Sequence, residues 1–151
     1  MKVSGLIRRN VISCTVHDHL ERAAQLMWEH DIGCLPVIDE QGHVVGMITD
    51  RDICMATYAQ GGPLRAIPVA AAMSRHVFSC AENDEVDAVE RAMSEHRIRR
   101  MPVIDEHGHP VGIVSLGDMA RAANLGRLPA TDIVSALATI SAPRPELVSG
   151  A

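Results

Sequence analysis

Two short stretches of the sequence place a hydroxyl side chain three positions before an aspartate. They run Gly46-Met47-Ile48-Thr49-Asp50-Arg51-Asp52 and Gly112-Ile113-Val114-Ser115-Leu116-Gly117-Asp118. This spacing predicts a capping box at a helix N-terminus. The same N-terminus offers free backbone amides to an anion, and a nearby carboxylate can accept from the two hydroxyls of a ribose. The residues alone therefore leave two interpretations open, a structural cap or a sugar and phosphate site.

The glycines that open these stretches favour the second interpretation. Gly46 and Gly112 lie where a strand is expected, and a glycine inside a strand costs stability. Such a glycine commonly marks a close approach to the backbone. We interpret that approach as contact with a ligand.

The two stretches belong to an internal duplication. Shifting the chain by 66 positions aligns Val3–Ala56 with Val69–Ala122 without a gap, and 21 of the 54 pairs are identical. We predict repeat 1 at residues 3–58, a linker at 59–68, repeat 2 at 69–124 and a C-terminal helix and tail at 125–151. A copy of this size is only marginally stable as an isolated unit. We therefore expect them to pack against each other as a pseudo-twofold pair in one compact domain.

Each copy predicts the order β-α-β-β-α, an α/β fold of the α+β type. A short, helical first segment, at 3–9 and at 69–75, leads into a strand rich in β-formers, at 11–14 and at 77–80. The first long helix is expected to begin at a capping box, Asp18 with Glu21 and Asp84 with Asp87. Apolar residues then recur at helical spacing, and His30 and His96 close the two helices.

A hairpin and a second helix complete each copy. Strands on either side of turns at 40–43 and 106–109 predict antiparallel hairpins. Pro36 and Pro102 suggest an edge or an entry point in the sheet, because proline has no N–H to donate to a neighbouring strand. The second helix is expected to begin at Thr49 or Ser115. A last helix, Asp132–Ile140, is expected to carry Ile133, Ala136 and Leu137 on one side, followed by a tail from Ala142.

Composition limits the classes of function. The net charge of −5 argues against a nucleic-acid surface, which needs a basic face. No apolar run approaches the roughly 18 residues of a membrane helix, and the N-terminus does not resemble a signal peptide, so we expect a cytoplasmic protein without a membrane partner.

The reactive side chains are scattered. The four cysteines lack a C-x-x-C pair and are expected to be reduced core thiols, and the eight histidines lack metal-ligand spacing. No nucleophile has an adjacent base in a recognisable motif. We therefore expect neither a metal site nor an enzyme.

The motifs resemble a known family. The strand Leu35-Pro36-Val37-Ile38-Asp39, its copy Met101-Pro102-Val103-Ile104-Asp105 and the glycine-to-aspartate stretches are similar to those of cystathionine-β-synthase (CBS) domains in tandem, the Bateman module. The resemblance covers about residues 3 to 122 and is nearest to small stand-alone bacterial CBS proteins. It implies a regulatory module that binds AMP, ADP, ATP, NAD or S-adenosylmethionine in clefts between paired repeats. No cofactor is required, and the first three ligands are the main expectation.

The resemblance also implies partners and a way of acting. It predicts a homodimer that senses nucleotide or energy state and signals to an unidentified regulated protein by a conformational change. The alternative is an assembly or interaction protein whose clefts have lost their ligand.

By motif position, the resemblance assigns roles to individual residues. Thr49 and Ser115 would contact ribose or phosphate, and Asp52 and Asp118 would hold the ribose hydroxyls. Leu35 and Met101 would pack on adenine, and Val11 and Val77 would offer backbone groups to its edge. Arg99 and Arg100 would bind phosphate in the second copy, where the first has Gly33 and Cys34. The Asp118 cleft is therefore expected to bind a phosphorylated adenosine ligand, and the Asp52 cleft to bind more weakly, to take something less charged or to stay empty.

Overall fold

The computed structural model describes residues 1–145 and divides into two compact units. The Asp52 unit contains Arg9–Ser79 together with Ile104–Gly112. The Asp118 unit contains Met1–Arg8, Cys80–Val103 and the chain from Ile113 onward. Each unit thus takes most of its residues from one repeat and a short segment from the other.

The Asp52 unit is built on a three-stranded sheet in the order β1-β2-β3. The short β1 pairs in parallel with β2, and β3 pairs with β2 in the antiparallel sense. The helix between β1 and β2 is the crossover that joins these two parallel strands, and apolar side chains from helices and strands form one core. The elements are β1 (Cys14–Thr15), α1 (Leu20–His30), β2 (Cys34–Ile38), β3 (Val44–Thr49), α2 (Asp50–Gln60), a 3₁₀ helix (Leu64–Ala66) and α3 (Val69–Ala72).

The Asp118 unit follows the same order, with one more helix. Its two strands form a hairpin whose tip, Ile104–Gly112, is grouped with the Asp52 unit. Cys80 takes the place of β1, because it forms a parallel bridge to Val103. The last helix packs on the two helices before it. The elements are a 3₁₀ helix (Val3–Gly5), α4 (Val86–His96), β4 (Arg100–Ile104), β5 (Pro110–Ser115), α5 (Leu116–Asn124) and α6 (Ala130–Ser141).

The leading segment of each repeat packs on residues of the other repeat. In the Asp118 unit, Val3 is fully buried and its N–H donates to Asp84 O at 3.0 Å. In the Asp52 unit, the equivalent Val69 is also fully buried, and its N–H donates to Asp18 O at 2.9 Å. The short helices predicted at these segments are present, and this exchange explains why neither unit is continuous in sequence.

The capping boxes predicted at Asp18 and Asp84 are wrong. The residue before α1 is His19, which makes no capping hydrogen bond with its side chain, and the residue before α4 is Glu85, which makes none either. Asp18 instead accepts from the Thr15 N–H at 2.8 Å, and Asp84 accepts from the Ala81 N–H at 2.8 Å. Each aspartate therefore closes a turn two residues before the helix begins.

The expected placement of Pro36 also needs correction, because β2 is the central strand of its sheet. Pro36 lies in the middle of β2 and faces Met47 on β3. The proline is tolerated because β1 pairs only with Val37 and Ile38. Within residues 1–145, no strand is paired with Pro36 on the side away from β3, so no ladder hydrogen bond depends on the N–H that proline lacks. The short β1 also explains why the strand predicted at 11–14 is found at Cys14–Thr15 instead.

The last helix is longer than predicted, and its buried face differs at one residue. Ile133, Ala136 and Ile140 are buried, whereas Leu137 is about half exposed. Just after the helix, the Ala142 carbonyl accepts from the Arg97 guanidinium at 3.3 Å. Residues 146–151 of the predicted tail lie outside the described residues.

Candidate functional site

The two hydroxyl and aspartate stretches form the capping boxes that their spacing predicts. Thr49 is the N-cap of α2: its Oγ1 accepts from the Asp52 N–H at 3.1 Å, and its own N–H donates to Asp52 Oδ2 at 2.9 Å. Ser115 and Asp118 repeat both bonds at the start of α5, at 3.1 and 2.9 Å. Each aspartate is thereby fixed at a helix N-terminus, where the helix dipole favours negative charge.

The two aspartates differ in what contacts Oδ1, the carboxylate oxygen that is not used in the capping box. Asp118 is 7% exposed, and its Oδ1 accepts from Arg8 Nε at 3.3 Å and from the Arg121 guanidinium. Its Oδ2 also accepts from the Ser115 hydroxyl. Asp52 is half-buried and has no ion pair within residues 1–145. The copies are therefore unequal, with two guanidiniums converging on the second loop.

Arg8 reaches Asp118 because the N-terminal segment is held along the Asp118 unit. The backbones of Arg8 and Ile113 exchange two hydrogen bonds, at 3.2 and 3.3 Å. At the start of the segment, the terminal ammonium and Lys2 Nζ lie 3.2 and 2.6 Å from the Glu85 carboxylate. Hydrogen bonds from these two groups hold the pKa of Glu85 below its ordinary value. The segment is thus anchored at both ends.

The two arginines predicted to bind phosphate are not equivalent. The Arg99 guanidinium lies 3.5 Å from Ser141 Oγ on α6, while its carbonyl accepts from the Leu116 N–H at 2.9 Å. The Arg99 backbone is therefore beside the second loop, but its side chain is directed to α6. Arg100 is exposed and has no ion pair in the described part of the chain.

The residues predicted to contact adenine lie in or near the cores. Leu35 is fully buried and Met101 is 2% exposed. Val11 and Val77 are half-buried members of the Asp52 unit. Their proposed roles stay predictions, and a side-chain contact from Leu35 or Met101 requires local opening of the packing around it.

Gly46 has a reason for being glycine that the sequence did not indicate. A Cβ at this position would lie 2.6 Å from Met73 Sδ and 3.0 Å from Ser74 O. Ser74 and the neighbouring Met47 exchange two backbone hydrogen bonds at 2.8 and 3.0 Å. The close approach therefore comes from the protein's own chain, which explains the glycine without a ligand.

Sequence reasoning missed Arg8 and Arg121. Arg121 lies three residues after Asp118 on α5, a spacing that brings helix side chains together, so the sequence carried a signal for it. Arg8 is 110 positions from Asp118, and no local pattern indicates that pairing. In the duplication, the residues equivalent to Arg8 and Arg121 at the Asp52 loop are Ser74 and Met55, neither of which is charged.

The thiols are mostly core residues, as expected. Cys14, Cys34 and Cys80 are buried, and Cys54 is exposed. Burial, with a smaller contribution from the nearby Asp18, raises the pKa of Cys14 to about 12. Burial and the nearby Asp84 do the same for Cys80. A buried thiol with such a pKa stays protonated and unreactive at neutral pH.

Residues 1–145 contain no group of three or more His, Cys, Asp and Glu side chains placed to hold a metal ion. None of their helices is long and apolar enough to cross a bilayer. An open depression of about 430 Å³ lies along α5, lined by Ala120, Arg121, Asn124 and Leu125.

Comparison with known proteins decides the family. The CBS domain profile matches twice, over residues 3–58 and 66–125. The chain belongs to the CBS domain family. Both capping-box loops fall inside the matched regions, and the mixed α/β fold agrees with those of solved CBS-domain structures.

Two relatives and two solved structures illustrate the family. The CBS domain-containing protein YhcV of Bacillus subtilis is 38% identical over 78% of this chain and 82% of its own. Hypoxic response protein 1 of Mycobacterium tuberculosis is 36% identical over 84% of this chain and 85% of its own. A crystal structure of Hypoxic Response Protein I, described as having two coordinated zinc ions, has a TM-score of 0.72 at 33% identity, covering 80% of this chain and 98% of that one.

The second of these solved structures contains bound ligands. The CBS domain pair of protein MJ0100 was crystallised with 5′-methylthioadenosine and S-adenosyl-L-methionine. Its structure has a TM-score of 0.72 at 30% identity and covers 83% of this chain and 98% of that chain. A CBS pair of closely similar fold and size therefore binds adenosine-containing molecules.

Proposed function

We propose that this protein is a regulatory CBS module that binds an adenosine-containing ligand at the Ser115–Asp118 loop. The observation that carries the proposal is the buried Asp118 carboxylate at the N-terminus of α5, with two guanidiniums beside it. The carboxylate suits a ribose diol, and the guanidiniums and helix amides suit phosphate. The adenosine ligands of MJ0100 support the same ligand class.

The remaining predicted residues have supporting roles in this proposal. Ser115 presents a hydroxyl at the loop, and Arg100 supplies an exposed cation at the start of β4. AMP, ADP and ATP are the proposed ligands. Thr49 and Asp52 form a second, weaker site, because no guanidinium pairs with Asp52 within the described chain. The protein acts in the cytoplasm as a homodimer without catalytic turnover.

Isothermal titration calorimetry tests the binding. Wild-type protein is titrated with AMP, ADP, ATP, NAD, S-adenosylmethionine and 5′-methylthioadenosine. We expect at least one of these ligands to bind, with Asp118→Asn weakening it about tenfold or more through loss of a charge-assisted hydrogen bond. Asp52→Asn is the matched control, because Asp52 has the same capping box without the arginines. Loss of binding in the control with retention in Asp118→Asn would contradict the assignment.

Regulation requires that the ligand prefers one of two conformations. The proposed output is a change in affinity for a partner protein. Hydrogen exchange with and without ligand measures the conformational change. We expect slower exchange in α5 and also in segments away from the loop. Protection confined to the loop would contradict transmission.

A second candidate, assembly without a ligand, is favoured by exposed aromatic residues. Trp28 on α1 is 89% exposed and Tyr58 on α2 is 86% exposed. Contiguous exposed apolar surface is typical of interaction sites, and α1 packs on α2. A thermal-shift panel separates the two functions, because a ligand of the native state raises the midpoint by mass action. No shift at millimolar nucleotide, together with a dimer by light scattering, would favour assembly.

A further inference from the structure

The charges around Asp118 bear on which adenosine ligands the loop accepts. A carboxylate offers about four lone-pair positions, two on each oxygen. Ser115 donates to Oδ2 from both its N–H and its hydroxyl, and Arg8 and Arg121 donate to Oδ1. The acceptor positions of Asp118 are therefore filled by the protein itself. A ribose diol must displace at least one of these donors to reach the carboxylate, and the two exposed guanidiniums are the easiest to move.

Displacement changes the charge balance of the loop. Asp118 is almost fully buried, whereas the side chains of Arg8 and Arg121 are 61% and 59% exposed. A displaced guanidinium can therefore turn towards the solvent side of the loop without unfolding anything. Neutral hydroxyls would then replace a cation beside a buried carboxylate, which is unfavourable unless new charge pairing compensates.

A ligand phosphate supplies that compensation. Arginine pairs with phosphate through short, charge-assisted hydrogen bonds. Asp118, Arg8 and Arg121 together carry one excess positive charge, which an anionic group balances. A neutral nucleoside leaves the displaced guanidinium without a partner, and a sulfonium ligand adds a further positive charge.

We infer that Arg8 and Arg121 select phosphorylated adenosine ligands at the Asp118 loop by exchanging their ion pair with Asp118 for one with the ligand phosphate. The inference rests on the proposed function and adds the specificity-determining residues. Both are distinct from Arg99 and Arg100, and Arg8 comes from the other repeat. The first loop has Ser74 and Met55 at the equivalent positions, so it lacks this pair of arginines.

Titration calorimetry with AMP and adenosine tests this inference. The variants are Arg8→Met and Arg121→Met, which keep much of the aliphatic side chain, and Arg91→Met, an exposed arginine on α4, is the charge-matched control. Wild type is expected to bind AMP at least about tenfold more tightly than adenosine, the size of one hydrogen bond to a charged group. Arg8→Met and Arg121→Met should each reduce that ratio several-fold while adenosine affinity stays constant or rises. Arg91→Met should leave the ratio unchanged.

Salt and a cationic ligand give independent readouts. AMP affinity should fall as salt rises, because screening weakens the guanidinium and phosphate pair, and adenosine affinity should not. S-Adenosylmethionine should bind more weakly than AMP in wild type, and the difference should narrow in Arg8→Met.

The outcomes separate the inference from the proposed function. Equal affinity for AMP and adenosine, abolished by Asp118→Asn, would overturn the charge selection while keeping the adenosine site. A lower melting temperature of Arg8→Met with an unchanged ligand ratio would show that Arg8 only holds the N-terminal segment, which also overturns the inference. Failure of every ligand to bind the folded wild type would reject both.

Discussion

Replacing Asp118 by asparagine removes the negative charge on which Arg8 and Arg121 converge. The amide keeps one oxygen, which can accept from Ser115 or from the guanidiniums but not from both. In either orientation, the amide NH₂ faces groups that are themselves donors. We therefore expect Asp118→Asn to be more harmful to stability than the same change at Asp52.

The structure sets the size of the difference. Loss of a cap costs about 1 kcal/mol, and this applies to both aspartates. At Asp118, a buried donor left without an acceptor adds about 1–2 kcal/mol. The ion pairs with the exposed guanidiniums add at most about 1 kcal/mol. Asp118→Asn should thus lower the free energy of unfolding by about 2–4 kcal/mol, against about 1 kcal/mol for Asp52→Asn.

Urea unfolding followed by far-UV circular dichroism measures both variants, with calorimetry for the melting temperature. For a chain of 151 residues, each kcal/mol corresponds to about 2–4 °C. In 1 M salt, the gap between the variants should narrow, because the guanidinium pairs are partly screened. Equal costs at low salt would refute the conclusion that the ion pairs distinguish the two loops. A larger cost for Asp52→Asn would refute it as well.

Three further predictions follow from single contacts. Gly46→Ala should lower the free energy of unfolding by about 1–3 kcal/mol, because the new Cβ would clash with the backbone of Ser74. Gly5→Ala should cost less, because its Cβ would meet nothing closer than 3.6 Å. Urea unfolding of both variants measures the two costs, and equal costs would contradict the prediction. The pKa of Asp105 is lowered chiefly by a hydrogen bond from the His109 N–H, so its stabilising contribution is full above the unfolded pKa of about 4 and is lost as the pH falls through the lower, folded pKa. The stability difference between wild type and Asp105→Asn should therefore shrink in acid, and a difference that grows below pH 4 would oppose this sign. A thiol reagent at pH 8 should modify Cys54 rapidly and the other cysteines slowly, because those are buried; a fast phase that survives Cys54→Ser would show that a buried thiol is accessible.

The helix starts at Thr49 and Ser115 could be predicted because a capping box is made by residues three positions apart. The buried stripe of α4, at Val86, Val89 and Met93, was predictable for a similar reason, since helical periodicity brings nearby residues to one face. Both predictions use interactions within a few turns of chain. They therefore do not depend on how distant segments of the chain pack.

The predicted cap at Asp18 failed because two local partners compete for one carboxylate. The Thr15 N–H of the preceding turn took the side chain of Asp18, and the helix began two residues later, at Leu20. Sequence spacing alone cannot rank these partners. Thr15 is held in β1 by pairing with Ile38 on β2, a contact that no local spacing indicates.

The sequence by itself determined the duplication, the order of elements and the two capping-box loops, because each depends on local spacing or on comparing one copy with the other. Only the tertiary structure decided that the loops differ in charge, that Gly46 accommodates Ser74 and that the Arg99 side chain is directed to Ser141. Arg8 meets Asp118 across 110 positions because Val3 is buried and the backbone of Arg8 pairs with Ile113. Burial and strand pairing between distant segments have no fixed spacing in sequence, so the place of Arg8 beside Asp118 becomes visible only in the folded chain.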